Sequence, residues 1–269
     1  MKRVYLEITN SCNLNCPFCT NSKGNDFLSL SQIDDYLSQI KPYCSYIYLH
    51  ILGEPLLHPQ FDKILKLLDE KQMDLQLVTN GTLLSRYPDL MKHTSLRKLS
   101  ISLHSINNID VDADYFDTIN NLIDNNNNKI IDLRFYDLNN LDQKLENYLN
   151  KLKTKYGFAL NSRNNSYKLK DNVYISFEEF FHWPDINDPV ISEKGTCHGA
   201  IDMIAINSKS EVTICCLDPY AHNSIGNLKQ MSLKQILESD KYKKMVEDIS
   251  NHNLTNELCK RCSYRLRFK

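Results

Sequence analysis

Short β-rich runs alternate with segments of helical spacing along the first half of the chain, and no other feature restricts the fold as much. The runs are Arg3 to Ile8, Tyr46 to Ile51, Asp74 to Thr79, Lys98 to Leu103 and Lys129 to Phe135. The helical segments are Ser31 to Ile40, Gln60 to Lys71, Ser85 to Met91, Tyr115 to Ile123 and Leu141 to Tyr156. Such alternation, without tight hairpin signals, predicts a parallel sheet with helices on its outside. One parity of the runs is apolar (Val4, Leu6, Ile8; Ile47, Leu49, Ile51; Ile131, Leu133, Phe135) and packs under helices. The other carries Tyr5, Glu7, Thr9; Tyr48, His50; Gln76, Asn80; Ser102, His104; Asp132, Arg134, Tyr136. A parallel sheet covered on both faces would be apolar on both parities. The polar parity therefore faces something wet or reactive, as in a curved sheet whose lumen holds a ligand near the strand ends.

The pattern changes after about Pro189. A hairpin is expected from Met203 to Asn207 and Glu211 to Cys215, followed by helices over Ser232 to Glu238 and Lys241 to Ser250 and by a cysteine-rich end. About 70 residues are few for an independent core, so a metal cluster would supply the staple. Lys and Arg number 32 against 33 Asp and Glu, a net charge of -1. That removes the global basic field that drives binding to duplex nucleic acid. No apolar run suits a membrane span or a signal peptide, and a cytoplasmic location is expected.

Nine cysteines, an odd number without an export signal, argue against a disulfide framework. Cys12, Cys16 and Cys19 lie in CNLNCPFC just after the first strand. Three thiolates on one short loop can hold three irons of a cubic cluster and leave the fourth open. The alternative is a zinc knuckle completed by a distant ligand.

Here the sequence resembles the radical SAM superfamily. In that family the motif ends the first barrel strand, places an aromatic (here Phe18) before the third cysteine, and binds a four-iron four-sulfur cluster whose open iron takes S-adenosylmethionine. The segment Leu52, Gly53, Glu54 and Pro55 resembles the family's GGEP segment, which contacts the methionine amino group through backbone atoms; Leu52 replaces the first glycine. Thr79, Asn80 and Gly81, Ser102, and Arg134 match positions that hold the ribose and carboxylate in many members. Cys197, Cys215, Gly226, Asn227, Cys259 and Cys262 resemble the auxiliary-cluster module called twitch, a reduced SPASM domain. The resemblance implies a second four-iron cluster on Cys197, Cys215, Cys259 and Cys262, with a four-cysteine zinc site as the alternative. Cys215 is preferred to Cys216 because its spacing to Gly226 resembles twitch proteins and because alternation puts the two side chains on opposite faces.

Other residues have plainer readings. Cys44 is read as a buried small hydrophobe, and His58, His93, His222 and His252 as solvated. Glu7, His50, His104 and Tyr136 share the inward parity with the cofactor contacts and are the candidates for substrate contact. Phe181 to Asp185 would line the pocket or act as a packed linker. Lys260, Arg261, Arg265, Arg267 and Lys269 read as a solvated basic face, and Asn125 to Asn128 as a polar turn.

The expected protein is α/β, a partial (β/α)6 TIM-type barrel over residues 1–190 with a small iron–sulfur cluster module over 191–269. The resemblance implies two 4Fe-4S clusters, S-adenosylmethionine, and an electron donor such as flavodoxin or ferredoxin. It also implies a 5'-deoxyadenosyl radical that abstracts hydrogen from a substrate. Without a peptide-recognition segment before the first strand, a small polar metabolite is expected. The Asn-, Lys- and Ile-rich composition, suited to an AT-rich anaerobe, tilts the reading toward a queuine lyase-type cleavage of a 7-deazaguanine in queuosine-precursor salvage. The alternatives are an aminocyclitol dehydrogenase, a peptide-modifying enzyme, and a non-catalytic iron–sulfur electron carrier or sensor.

Overall fold

The computed structural model describes residues 1–20, 24–126, 128–161 and 163–268. Lys269 and part of the Asn125 to Asn128 turn lie outside the described residues. The chain forms two compact units, Met1–Asp74 with Phe181–Lys269, and Leu75–Phe180. The first begins with β1 (Arg3–Leu6), α1 (Leu30–Ile40), β2 (Tyr46–Tyr48) and α2 (Phe61–Glu70). The second contains β3 (Asp74–Thr79), β4 (Leu96–Ser102), α3 (Tyr115–Asp124), β5 (Ile130–Tyr136), α4 (Gln143–Tyr156), β6 (Ser166–Lys170) and β7 (Val173–Glu178). The chain then returns to the first unit with β8 (Met203–Ile206), β9 (Glu211–Thr213), β10 (Ser224–Asn227), α5 (Leu233–Glu238), α6 (Asp240–Ser250) and α7 (Glu257–Arg261).

In the first unit the strand order is β10-β9-β8-β1-β2. β1 runs parallel to both β2 and β8, and Arg3 to Leu6 register with Met203 to Ile206. The expected hairpin is present as antiparallel β8 and β9, and β10 extends it. The apolar parity behaves as its periodicity requires: Val4, Leu6, Ile8, Ile47 and Leu49 are fully buried. α1 starts at Ser29, whose side chain accepts from Gln32 N–H while the Gln32 side chain returns to the Ser29 backbone. This capping box satisfies two otherwise orphaned donors. Ile33, Leu37 and Ile40 of α1 and Ile64 and Leu68 of α2 then fall on buried helical faces.

In the second unit the order is β3-β4-β5-β7-β6, parallel from β3 to β7, with β6 antiparallel to β7. Leu75, Leu77, Ile101, Ile131, Leu133 and Phe135 are fully buried. The polar parity partly satisfies itself: Lys98 Nζ lies 2.7 Å from an Asp132 carboxylate oxygen, and Ser176 Oγ donates to the other at 2.8 Å.

Two local expectations need correction. The helix expected over Ser85 to Met91 is two 3-10 turns, Leu84–Arg86 and Leu90–Lys92. Pro88 stands between them and lacks the N–H that a continuous helix needs. His58 is not solvated but buried. Its Nε2 donates to Leu28 O at 2.9 Å and its Nδ1 accepts from Gln60 N–H at 3.2 Å, so the ring fastens two segments, and burial lowers its pKa.

Among the described residues no helix is long and apolar enough to cross a membrane.

Candidate functional site

Cys12, Cys16 and Cys19 lie on the loop that follows β1, the first two half-buried and the third exposed. Both ends of this loop are fastened. Leu28 N–H donates to Ile8 O at 3.0 Å, Thr9 Oγ1 to Asp26 O at 2.9 Å, and the Asn10 amide exchanges bonds with Asp26 at 2.8 and 2.9 Å. Leu14 N–H points at Cys12 Sγ at 3.5 Å, and Cys19 N–H closes a turn on Cys16 O at 3.1 Å. Phe18 is half-buried between the second and third cysteines.

The Gly53, Glu54 and Pro55 segment packs directly on the start of that loop. Glu54 N–H donates to Ser11 O at 2.8 Å. Gly53 sits at φ 74°, and a Cβ there would fall 2.4 Å from Thr9 O and 3.0 Å from Asn10 Cα. Only glycine permits this approach. Leu52, by contrast, is not among the residues at positive φ and buries its side chain beside Ile51 and Ala205, so the first position of the motif does not demand glycine. Glu54 caps the following turn by accepting from Leu56 N–H at 3.1 Å, and Pro55 occupies its first position.

Glu7 is 3% exposed. One carboxylate oxygen accepts from Leu52 N–H and the other from Ser208 N–H, both at 2.9 Å. Burial pushes its carboxyl up, opposed by these two donors. Glu7 therefore ties the segment before Gly53 to the β8–β9 turn. His50 stands edge-on to Tyr5 and Tyr48, whose rings stack at 4.4 Å.

In the second unit, Thr79 Oγ1 accepts from Gly81 N–H and Asn80 Oδ1 from Thr82 N–H, each at 3.0 Å. Gly81, at φ 83°, has no room for a Cβ beside Tyr115. Ser102 ends β4 and its carbonyl accepts from Ser105 Oγ at 2.6 Å. His104 stacks on Tyr136 at 3.8 Å between ring centres and its Nδ1 donates to Arg134 O at 3.2 Å. Burial, with the Arg134 charge behind it, pulls the His104 pKa down to about 3 and keeps the ring neutral. Arg134 bonds to Tyr136 OH and lies 3.8 Å from Glu178. Ser102, Arg134 and Tyr136 stand at the ends of β4 and β5, whereas His104 is carried to Tyr136 by the 3-10 turn Leu103–Ile106 that follows β4, not by strand alternation. Glu178 and Phe180, which is edge-on to His104 and Tyr136, complete the group. Sequence reading missed both, although alternation over Val173–Glu178 carries the signal.

Cys197, Cys215, Cys259 and Cys262 line one cavity, together with Gly199, Asp218, Asn223 and Arg265. Gly199 N–H points at Cys197 Sγ at 3.3 Å, Leu217 N–H at Cys215 Sγ at 3.4 Å, and the Asn223 amide at Cys259 Sγ at 3.6 Å. Asp218, fully buried, organises the rim by accepting from His222 and Asn223 N–H. Burial pushes the Cys197 and Cys259 thiols up, and Cys262 to about 11; Cys215 is pushed up by its contact with Cys216 and by burial. Four sulfurs in one buried space become thiolates together only when a cation neutralises them. The donor set is that of a thiolate-bound cluster, although among the described residues no three such side chains stand close enough to hold a single metal ion. Cys216 does not line the cavity but packs with Tyr5 and Trp183 against Ile51, Leu52 and Ala205. Pro184 reaches the cavity wall, so the Phe181 to Asp185 stretch borders the cysteines. Cys44 is buried and bonds to the Tyr46 backbone. Arg265 departs from the expected solvated face: it is 5% exposed.

Residues 6–152, more than half the chain, match the family model described as the radical SAM superfamily. The chain belongs to the radical SAM superfamily. Residues 197–263 of this radical SAM chain match the iron–sulfur cluster-binding domain SPASM. It is similar to a probable GTP 3',8-cyclase of Methanocella arvoryzae, 33% identical over 105 residues, which are 38% of this chain and 34% of that one. It is also similar to a tungsten-containing aldehyde ferredoxin oxidoreductase cofactor-modifying protein of Pyrococcus furiosus, 36% identical over 92 residues, 32% and 25% of the two chains. The chain thus spans about a third or less of the length of these curated relatives. Among solved structures it resembles BtrN in complex with AdoMet and 2-DOIA, with a TM-score of 0.59, 15% identity, and 97% and 92% of the chains covered. It likewise resembles anSMEcpe with bound AdoMet and the Cp18Cys peptide, with a TM-score of 0.61, 13% identity, and 90% and 81% covered. These likenesses show the fold, an α/β partial barrel with a cluster module. Superfamily membership makes the chain an enzyme rather than a carrier or sensor, and brings with it S-adenosylmethionine and 4Fe-4S clusters.

Proposed function

We propose that this enzyme abstracts hydrogen from a small polar metabolite. Bound at the open iron and reduced by one electron, S-adenosylmethionine would supply methionine and a 5'-deoxyadenosyl radical. Cys12, Cys16 and Cys19 hold the first cluster, and Gly53, Glu54 and Pro55 offer backbone atoms to the methionine end. Thr79, Asn80, Ser102 and Arg134 serve the ribose and carboxylate. Phe18, beside the third cysteine, contacts the cofactor. Cys197, Cys215, Cys259 and Cys262 hold the second cluster. His50, His104 and Tyr136 serve the substrate, whereas Glu7, with both oxygens given to backbone donors, positions rather than reacts.

The single observation that carries this reading is the fit of Gly53 and Glu54 on the cysteine loop, within one hydrogen bond and a van der Waals contact of Thr9 to Ser11. A cysteine loop serving only structure has no need of that platform. The mixed polar end of β5 and β7, with Arg134, Glu178 and a neutral His104, suits hydroxyl and amino groups and supports a small polar substrate. Queuine lyase-type cleavage draws no support from the matched proteins. Dehydrogenation of an aminocyclitol is the second reading; BtrN, solved with AdoMet and 2-DOIA, shares the fold across 97% of this chain. The division near residue 190 is supported by the two family matches, which end at 152 and resume at 197. The electron donor is a flavodoxin or ferredoxin, and the location cytoplasmic, in keeping with reduced thiols.

The test is anaerobic reconstitution followed by assay of 5'-deoxyadenosine. Reduced wild type should form it, and the Cys12→Ala, Cys16→Ala and Cys19→Ala proteins should not. Persistent formation in any of the three would overturn the assignment.

A further inference from the structure

Arg265 is a full positive charge placed almost entirely out of water, at 5% exposure, in the wall of the cavity lined by Cys197, Cys215, Cys259 and Cys262. Its partners there are neutral. Nη1 donates to Lys194 O at 3.3 Å and Nη2 to Ser192 O at 3.4 Å, while Nε is buried with no hydrogen-bond partner among the described residues. No ion pair joins it to a carboxylate among the described residues; the Asp218 carboxylate in the same wall is engaged by the His222 and Asn223 N–H groups. The fold also makes room for it. A Cβ on Gly195 would fall 2.3 Å from Arg265 Nη1, so this glycine is what lets the guanidinium lie where it does.

A guanidinium cannot shed its proton to escape burial. An unpaired buried charge is costly, and it persists only where an opposite charge meets it. The opposite charge is supplied by the cavity's own chemistry. Four thiolates around a four-iron cluster carry a net negative charge in the oxidised state and one more unit when reduced. We propose that Arg265 is the resident counter-charge of the auxiliary cluster and holds its reduction potential up, favouring the reduced state; this rests on the reading that the four cysteines bind a cluster. It is a positioning and tuning residue.

The physical reason is the growth of negative charge on reduction: a fixed cation in a low-dielectric wall stabilises the reduced form more than the oxidised one. The experiment uses the whole 269-residue chain with Cys12, Cys16 and Cys19 replaced by alanine, so that one cluster remains, and follows its reduced signal by potentiometric EPR. Iron and sulfide analysis comes first. If that protein holds no four-iron cluster, the underlying reading of the cysteines fails, separately from any statement about Arg265. With the cluster present, Arg265→Met should lower the reduced-to-oxidised ratio at fixed potential about tenfold, which is 59 mV for one electron. Arg265→Lys, which keeps the charge, should shift it much less. Loss of iron in Arg265→Met but not in Arg265→Lys would equally support a counter-charge. Unchanged potential in Arg265→Met, or equal shifts or equal iron loss in both variants, would overturn the proposal and leave Arg265 a packing residue.

Discussion

Replacing Glu7 with glutamine keeps the side chain's shape and removes its charge, so it isolates what the carboxylate does. The two bonds, from Leu52 and Ser208 N–H at 2.9 Å each, are charge-assisted and lie in a site only 3% exposed. Bonds to a charged group contribute about 1.5–3 kcal/mol each, giving a ceiling of about 3–6 kcal/mol for the pair. On balance burial outweighs these donors and pushes the Glu7 carboxyl up, so the loss on substitution comes from a mismatched donor rather than from the charge itself. A glutamine amide can accept one of the two donors with its oxygen but must turn its NH2 toward the other N–H. The expected net loss is about 1–3 kcal/mol, the cost of one buried donor left facing an amide NH2, and a sizeable share of the ~5–15 kcal/mol stability of a typical domain. The assay is urea unfolding of the anaerobically reconstituted protein by far-UV circular dichroism, with hydrogen exchange at Leu52 and Ser208 read in parallel. Because Leu52 precedes Gly53, weaker S-adenosylmethionine binding should accompany the loss. A Glu7→Gln protein within about 0.5 kcal/mol of wild type, with both amides still protected, would refute the clamp.

Three further outcomes are expected. Cys215→Ala should lose the iron of the second cluster while Cys216→Ala keeps it, and equal loss in both would refute the register read from the cavity. Gly53→Ala should destabilise by more than the ~1–2 kcal/mol of a left-handed backbone, because its Cβ would lie 2.4 Å from Thr9 O, and should weaken cofactor binding; unchanged melting and affinity would contradict the platform. His104 is held down to about 3, below its ordinary 6.5, so the unfolded chain takes this proton first as pH falls. Its contribution to stability is complete above about pH 6.5 and is lost toward pH 3, by about 2 kcal/mol at pH 5; a His104→Gln protein whose acid limb matched wild type would rule this out.

What could be read from the chain was whatever has a local or periodic cause. The buried row Val4, Leu6, Ile8 and the polar row Ser102, Arg134, Tyr136 follow from a two-residue repeat that each strand carries within itself. The three-cysteine loop and the GEP segment are equally local. Pairings set by distant partners were not legible: nothing in Met203–Ile206 announces that it will lie parallel to Arg3–Leu6, nor that Ser208 will complete the clamp on Glu7.

Charge and burial were the harder matter, because composition assigns a side chain its average environment and the fold assigns it a particular one. His58 reads as a loop residue, yet two backbone partners draw it inside. Arg265 reads as one of several basic residues at the chain's end, yet it is buried where its neighbours are not. Lys260 reaches Glu193 and Glu257, and Arg267 lies over the Tyr264 ring. The difference is positional. Arg265 stands three residues after Cys262, within one short turn, and Gly195 lies two residues before Cys197, so the spacing that brings the cysteines together also brings the guanidinium to the glycine's open side. A sequence shows Gly195 and Arg265 as unrelated residues. Only the folded chain shows that the missing side chain of one makes the site of the other.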